Sequence, residues 1–190
     1  MKTVATILSA FLGLALSVNA ATVLCIGINE YPQYPNLNHA ENDAAEMAGI
    51  FTQQGHEVVL ITGADVTTES FQAALKDNPE IIYYAGHGEN GRLMLTDGDI
   101  ELADIANADT LMLLDCCYVG RGLKEDGTMK ILAASEYEAF ESNGHGLFTK
   151  HLLDWMKEGK SVVEEPLHAY LHQNIGAETG GWQRPVLGYI

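Results

Sequence analysis

The sequence predicts an α/β protein: a mostly parallel sheet of about six strands with helices on both faces. Three observations carry this. Short apolar runs rich in β-branched residues alternate with longer stretches whose apolar residues recur at helical spacing. Those runs are apolar at consecutive positions, as strands covered on both faces must be. The 190 residues contain no internal repeat and no linker-like tract, which suits one domain.

The elements follow in order. Residues 1–20 read as a secretory signal peptide. Lys2 is followed by an apolar stretch from Val4 to Val18 and by Val18-Asn19-Ala20, a small-residue cleavage site. The apolar stretch is short for a membrane span, so the mature chain, residues 21–190, is expected to be secreted or periplasmic and to carry no membrane span. Thr22 to Ile28 is a strand. Asn29 to Asn38, with two prolines, is a loop. Ala40, Ala44, Met47, Ala48 and Phe51 mark a helix over Asn38 to Gln54, stopped by Gly55. Strands are predicted at Glu57 to Ile61, Ile81 to Ala85, Thr110 to Leu114, Ile131 to Ala134 and Pro185 to Ile190. Helices are predicted at Val66 to Lys76, Glu101 to Asn107, Leu147 to Lys157 and Pro166 to Gln173, the last with proline in its first turn.

Charge narrows the partners. The formal net charge is −16, which repels a polyanion and argues against nucleic-acid binding. Such a field favours basic peptides or a divalent cation. Three cysteines, Cys25, Cys116 and Cys117, are too few for a disulfide scaffold. Cys25 lies inside the first strand and is expected in the core.

In parallel sheets, sites gather at the carboxyl ends of strands. Two strand ends carry reactive residues. The third strand runs into Gly86-His87-Gly88, and the fourth into Asp115-Cys116-Cys117-Tyr118-Val119-Gly120. If these strands are neighbours, an imidazole and a thiol meet at one rim of the sheet. There the imidazole can activate the thiol and later protonate a leaving amine. The flanking glycines allow close backbone approach, and the N–H groups of Gly88 and Cys117 are candidates for holding an oxyanion. Spacing alone leaves either cysteine as the nucleophile. Gly144-His145-Gly146 repeats the same three letters after a polar loop, so His145 reads as a turn or helix-start residue.

The chain resembles the caspase-like cysteine peptidases, clan CD, and among them the bacterial metacaspase-like members of the caspase/metacaspase family, peptidase C14. Tyr83 to Gly88 is similar to the family's histidine motif, and Asp115 to Gly120 to its Asp-Ser-Cys-His-Ser-Gly pattern. Asn42-Asp43-Ala44 is similar to the Asn-Asp-Ala after its first strand. Ile131 to Ser135 and Gly146 to Thr149 resemble its later strand and final-helix entry. The resemblance implies a three-layer caspase-like sandwich over residues 21–190, with His87 as base and Cys117 as nucleophile. Cys116 then takes the position of the family's serine. Tyr118 and Val119 depart from the pattern.

The resemblance further implies that Asp43 and Asp115 line the pocket for the residue before the scissile bond, with Ser135 as a further substrate-binding residue. Two carboxylates there bind Arg or Lys and repel Asp. Substrates would be peptides or proteins with basic residues. No cofactor is required; Ca2+ is a candidate activator, for which the acidic turn Asp97, Asp99 and Glu101 offers oxygen atoms. Two other classes compete. One is a catalytically inactive caspase-like module that binds basic peptides. The other is a thiol redox or metal protein using Cys116 and Cys117.

Overall fold

Six strands form the central sheet. The computed structural model describes residues 20–105, 109–142, 144–163 and 166–190. Residues 1–19 of the expected signal peptide and the last two residues of the expected 101–107 helix lie outside the described residues. The strands are β1 (Thr22–Gly27), β2 (Glu57–Thr62), β3 (Ile81–Ala85), β7 (Leu111–Asp115), β8 (Lys130–Ala133) and β11 (Val186–Tyr189). In the sheet order β11-β8-β7-β3-β1-β2, all neighbours pair in parallel except β11, which runs antiparallel to β8. The six-stranded, mostly parallel sheet agrees with the prediction.

Alternate residues of each strand feed two separate cores. Val23, Cys25, Tyr83 and Leu113 face one side, where α1 (Ala40–Gln53), α4 (Leu147–Lys157) and α5 (Pro166–Glu178) cover them. Leu24, Ile26, Tyr84 and Leu114 face the other, beneath α2 (Thr68–Leu75) and α3 (Leu102–Ile105). Cys25 is fully buried, as expected. Each large apolar side chain buried this way contributes about 1.5–3 kcal/mol, and the long list of them makes the sheet a rigid base for its rim. No helix among the described residues is long and apolar enough to cross a membrane.

Local chemistry sets the boundaries. Gly55, with φ of 89°, lets the chain leave α1 in the left-handed region. Thr67 begins α2 with a capping box: its hydroxyl accepts from the Ser70 N–H at 3.1 Å, and the Ser70 hydroxyl accepts from the Thr67 N–H at 2.9 Å. Helix α5 runs five residues past the predicted end, because Ile175 packs into the same core as Leu167 and Leu171.

Two features were not expected. Directly after β3, a small antiparallel sheet is formed by β4 (Gly88–Glu89), β5 (Arg92–Met94) and β6 (Asp99–Glu101). A second pair, β9 (Glu141–Ser142) and β10 (His145–Gly146), precedes α4. His145 is therefore in a short strand pair, and not merely in a turn or at a helix start.

Candidate active site

Strands β3 and β7 are neighbours, with Ala85 opposite Asp115. His87 and Cys117 each follow two residues later, so both leave the sheet at one rim. The Gly86 N–H donates to the Asp115 carbonyl at 3.3 Å and holds the two exits together. A Cβ built on Gly88 would lie 2.7 Å from Val119 Cγ1 and 2.9 Å from the Cys117 carbonyl oxygen. The histidine and cysteine loops touch there, and only a residue without Cβ allows it. His87, Cys117, Asp43 and Asp115 all line one cleft of about 80 Å³.

His87 is fixed by groups that residue patterns do not reveal. Its Nε2 lies 2.7 Å from the Pro35 carbonyl oxygen. A carbonyl can only accept, so Nε2 carries the proton and Nδ1 keeps a free lone pair in the neutral ring. The ring packs against Tyr31 and Tyr34, at 4.8 and 5.5 Å between centroids. Its backbone N–H donates to the Tyr31 hydroxyl at 2.9 Å. The Tyr84 hydroxyl sits between the carbonyls of His87 and Met94, at 2.8 and 2.6 Å. Burial pushes the Tyr31 and Tyr84 hydroxyls above the ordinary tyrosine range, so both stay neutral.

The two adjacent cysteines differ in surroundings. Cys116 is 1% exposed and belongs to the core beneath α2 and α3. Burial pushes its thiol well above the ordinary range. Both cysteines line the cleft, but Cys117 is only partly buried. Burial raises its thiol too, opposed by the Ala139 N–H, which donates to Sγ at 3.3 Å. The resting sulfur is thus a neutral thiol that needs a base to become a nucleophile. Tyr118 follows with φ of 58°, and its N–H donates to the Tyr137 carbonyl at 2.7 Å. That left-handed turn carries the chain away immediately after the sulfur.

The two acidic residues are both buried, Asp43 at 2% and Asp115 at 7% exposure. Asp115 Oδ2 accepts from the Thr149 N–H at 3.0 Å and the Thr149 hydroxyl at 2.6 Å. The Thr149 hydroxyl in turn lies 2.5 Å from the Tyr83 hydroxyl. Burial pushes the Asp115 carboxyl up to about 7; the nearby Asp43 adds to the rise and Thr149 opposes it. Asp115 Oδ1 takes no hydrogen bond among the described residues, and no buried side-chain oxygen there lacks a partner. Asp115 itself lines the cleft. Asp43 Oδ2 accepts from the Gly146 N–H at 2.9 Å, and Oδ1 lies 2.5 Å from His145 Nδ1. Burial raises the Asp43 carboxyl, while the Gly146 N–H and then His145 hold it down.

Ser135 stands apart from this cleft. It is 1% exposed, its hydroxyl accepts from the Tyr137 N–H at 3.0 Å, and it lines a neighbouring cavity of about 620 Å³ with Tyr118, Phe140 and Trp182. Phe140 lines both spaces. The acidic turn considered for calcium is already engaged. Asp97 Oδ1 accepts from the Thr68 N–H and hydroxyl, and Arg92 pairs with both Asp99 and Glu101. As they stand, these carboxylates do not form an open set of oxygen ligands. No group of three or more His, Cys, Asp or Glu suited to a metal is found among the described residues.

Residue patterns missed Pro35 and Ala139, whose backbone groups act irrespective of side-chain identity, and missed the role of His145, whose repeated Gly-His-Gly letters were the available signal. The fold resembles a crystal structure of protein GSU0716 from Geobacter sulfurreducens, with a TM-score of 0.71 at 16% identity, covering 90% of this chain and 94% of that one. At that identity the likeness speaks for the fold alone. No curated protein matches the chain. The family model for the caspase domain, peptidase C14, matches residues 20–187, nearly all of the described structure and both strand-end motifs. The chain belongs to the caspase-domain family of cysteine peptidases, peptidase C14.

Proposed function

We propose that the chain is a secreted or periplasmic cysteine endopeptidase that hydrolyses peptide bonds after Arg or Lys through a Cys117–His87 dyad. One observation supports this above the rest: a thiol and an imidazole share a single cleft with two buried carboxylates. The thiol and imidazole are what acyl transfer needs, and the carboxylates suit a cationic side chain.

The steps follow from the proton positions. Nδ1 of His87 takes the proton from the Cys117 thiol as Sγ attacks the substrate carbonyl carbon. The oxyanion that forms is met by the N–H of Cys117, which no described residue accepts, and by the N–H of Gly88. Removing one such donor typically costs about 3 kcal/mol of transition-state stabilisation. The imidazolium then protonates the leaving amine, and a thioester on Cys117 remains. His87 next deprotonates a water, which attacks the thioester and releases the carboxylic acid and the thiol. The Pro35 carbonyl keeps the ring oriented and favours the imidazolium at each stage. Asp115 Oδ1 and Asp43 receive the substrate's guanidinium or ammonium group. No cofactor enters this scheme, and a calcium titration of the resting protein tests activation separately.

Active-site labelling tests the proposal. An arginyl peptide carrying a chloromethyl ketone is expected to alkylate Cys117, and His87→Ala is expected to abolish that labelling. Peptides ending in Arg, Lys and Asp, assayed side by side, are expected to be cut in the first two cases only. Modification of Cys116 instead, or a preference for Asp, would overturn the assignment.

A further inference from the structure

His145 is the unassigned part of this cleft's chemistry. Asp43 and Asp115 are both buried beside the same cleft. Two carboxylates confined together disfavour one another's ionised form. Some group must hold the charge if the cleft is to attract a cation. Asp115 is held by Thr149, an uncharged partner. Asp43 has a different arrangement: its Oδ1 meets His145 Nδ1 at 2.5 Å, and no Lys or Arg among the described residues pairs with it.

The ring does not obstruct the cleft. Gly146, the next residue, lines it, while His145 does not. The imidazole is partly buried, with its side chain 20% exposed, and its Nε2 points towards Glu46 Oε1 on α1 at 3.8 Å. It thus stands behind Asp43, between a buried carboxylate and an exposed one. The β9–β10 pair fixes it there, with His145 opposite Ser142 and Gly146 opposite Glu141. One short segment therefore serves both oxygens of Asp43: the His145 ring reaches Oδ1 and the Gly146 N–H reaches Oδ2.

We propose that His145 is a positioning residue for substrate choice: by donating Nδ1–H to Asp43 Oδ1, it holds that carboxylate charged and aimed, so that the cleft recognises a basic side chain. This rests on the reading of the cleft as the binding site for Arg or Lys, which it deepens. His145 touches neither the sulfur nor His87, so its effect falls on binding and selectivity.

The experiment compares matched peptides with arginine or citrulline at the cleaved position. Citrulline keeps the shape and removes the charge. The quantity read is the ratio of kcat/KM for the two, corrected for the fraction of alkylatable Cys117. A wild-type ratio near one would sink the Arg/Lys reading itself, independently of His145. Given a high wild-type ratio, His145→Ala is expected to lower it at least tenfold, mainly through KM. His145→Asn is expected to restore most of it, since the asparagine amide nitrogen occupies the place of Nδ1 and supplies an N–H. An unchanged ratio in His145→Ala, or a His145→Asn variant that melts like wild type yet is as unselective as alanine, would overturn the proposal. Should His145→Ala fail to fold, the asparagine variant is compared with His145→Leu, which fills the site without an N–H. Should the protein not turn over peptides, protection of Cys117 from iodoacetamide by benzamidine, against neutral benzamide, gives the same comparison with the same two outcomes.

Discussion

The Nε2 atom of His87 lies 2.7 Å from the carbonyl oxygen of Pro35. The neutral ring therefore has its proton on the Pro35 side and its base nitrogen free. Because burial leaves Cys117 as a thiol, turnover by the proposed dyad would depend on that nitrogen. His87→Ala is expected to lower kcat/KM by about 10²–10⁴, the usual contribution of a positioned general base. The same variant should keep the wild-type melting temperature within a few degrees, since the ring sits on a loop against Tyr31, Tyr34 and the exposed Pro35 carbonyl. Peptide hydrolysis and a thermal melt check the two halves; an active His87→Ala protein would rule out the dyad.

Asp115 connects stability to pH. Burial raises its folded-state carboxyl from 3.8 to about 7. The folded protein thus binds a proton that the unfolded chain has lost between those values. Its contribution to stability is full below about pH 4 and is lost as pH rises through about 7. At about 1.36 kcal/mol per unit, the rise from 3.8 to about 7 limits the effect to about 4 kcal/mol. Asp115→Asn is expected to unfold at higher urea than wild type at pH 8, with the difference shrinking by pH 5. Catalysis should move the other way: KM for arginyl peptides in the wild type falls as pH rises through 7, because the cation needs the ionised carboxylate. An Asp115→Asn protein no more stable than wild type at pH 8 would contradict the assigned burial cost.

The neighbouring thiols separate a peptidase from a redox pair. Both border the cleft, but Cys116 is buried in the core and Cys117 is only partly buried. Cys116→Ala is expected to retain peptide hydrolysis and to cost about 1 kcal/mol, the scale of one small apolar group removed from a core. Cys117→Ala is expected to abolish hydrolysis while changing stability little. Urea melts and peptide assays on both variants check this; equal loss of activity in the two would favour a function that needs both sulfurs.

The sheet and the placing of His87 and Cys117 at neighbouring strand ends were legible in the sequence for a physical reason. Strands buried on both faces must be continuous apolar runs, and residues that leave the sheet mark themselves by glycine and by sudden polarity, as at Ala85-Gly86-His87 and Leu114-Asp115-Cys116. Neighbouring exits then bring His87 and Cys117 to one rim. What stayed hidden depends on backbone atoms or on distant partners. Pro35 acts through a carbonyl, which every residue offers, and Ala139 through an N–H, which every residue but proline offers. His145 meets Asp43 across 102 residues, and only the folded chain puts the second Gly-His-Gly behind the first helix. Strands of two or three residues, such as β4 and β9, are too short to carry a period.

Gly88 is the steric link between the two reactive loops, and it gives the most direct structural test. A methyl group there would meet Val119 Cγ1 at 2.7 Å, Cys116 Sγ at 2.9 Å and the Cys117 carbonyl oxygen at 2.9 Å. Two of these neighbours are side chains and one is backbone, so the cysteine loop itself must shift. Gly88→Ala is expected to cost about 1–3 kcal/mol in stability, as overpacking usually does, and to lower kcat/KM by about 10²-fold through misplacement of the sulfur. Adding Val119→Ala removes the nearest clash. The double variant is expected to recover stability in part but activity only slightly, because the contact with the Cys117 carbonyl persists. Urea unfolding and peptide hydrolysis on the single and double variants separate the two effects. Full activity in Gly88→Ala would mean that the two loops do not need this close approach for catalysis.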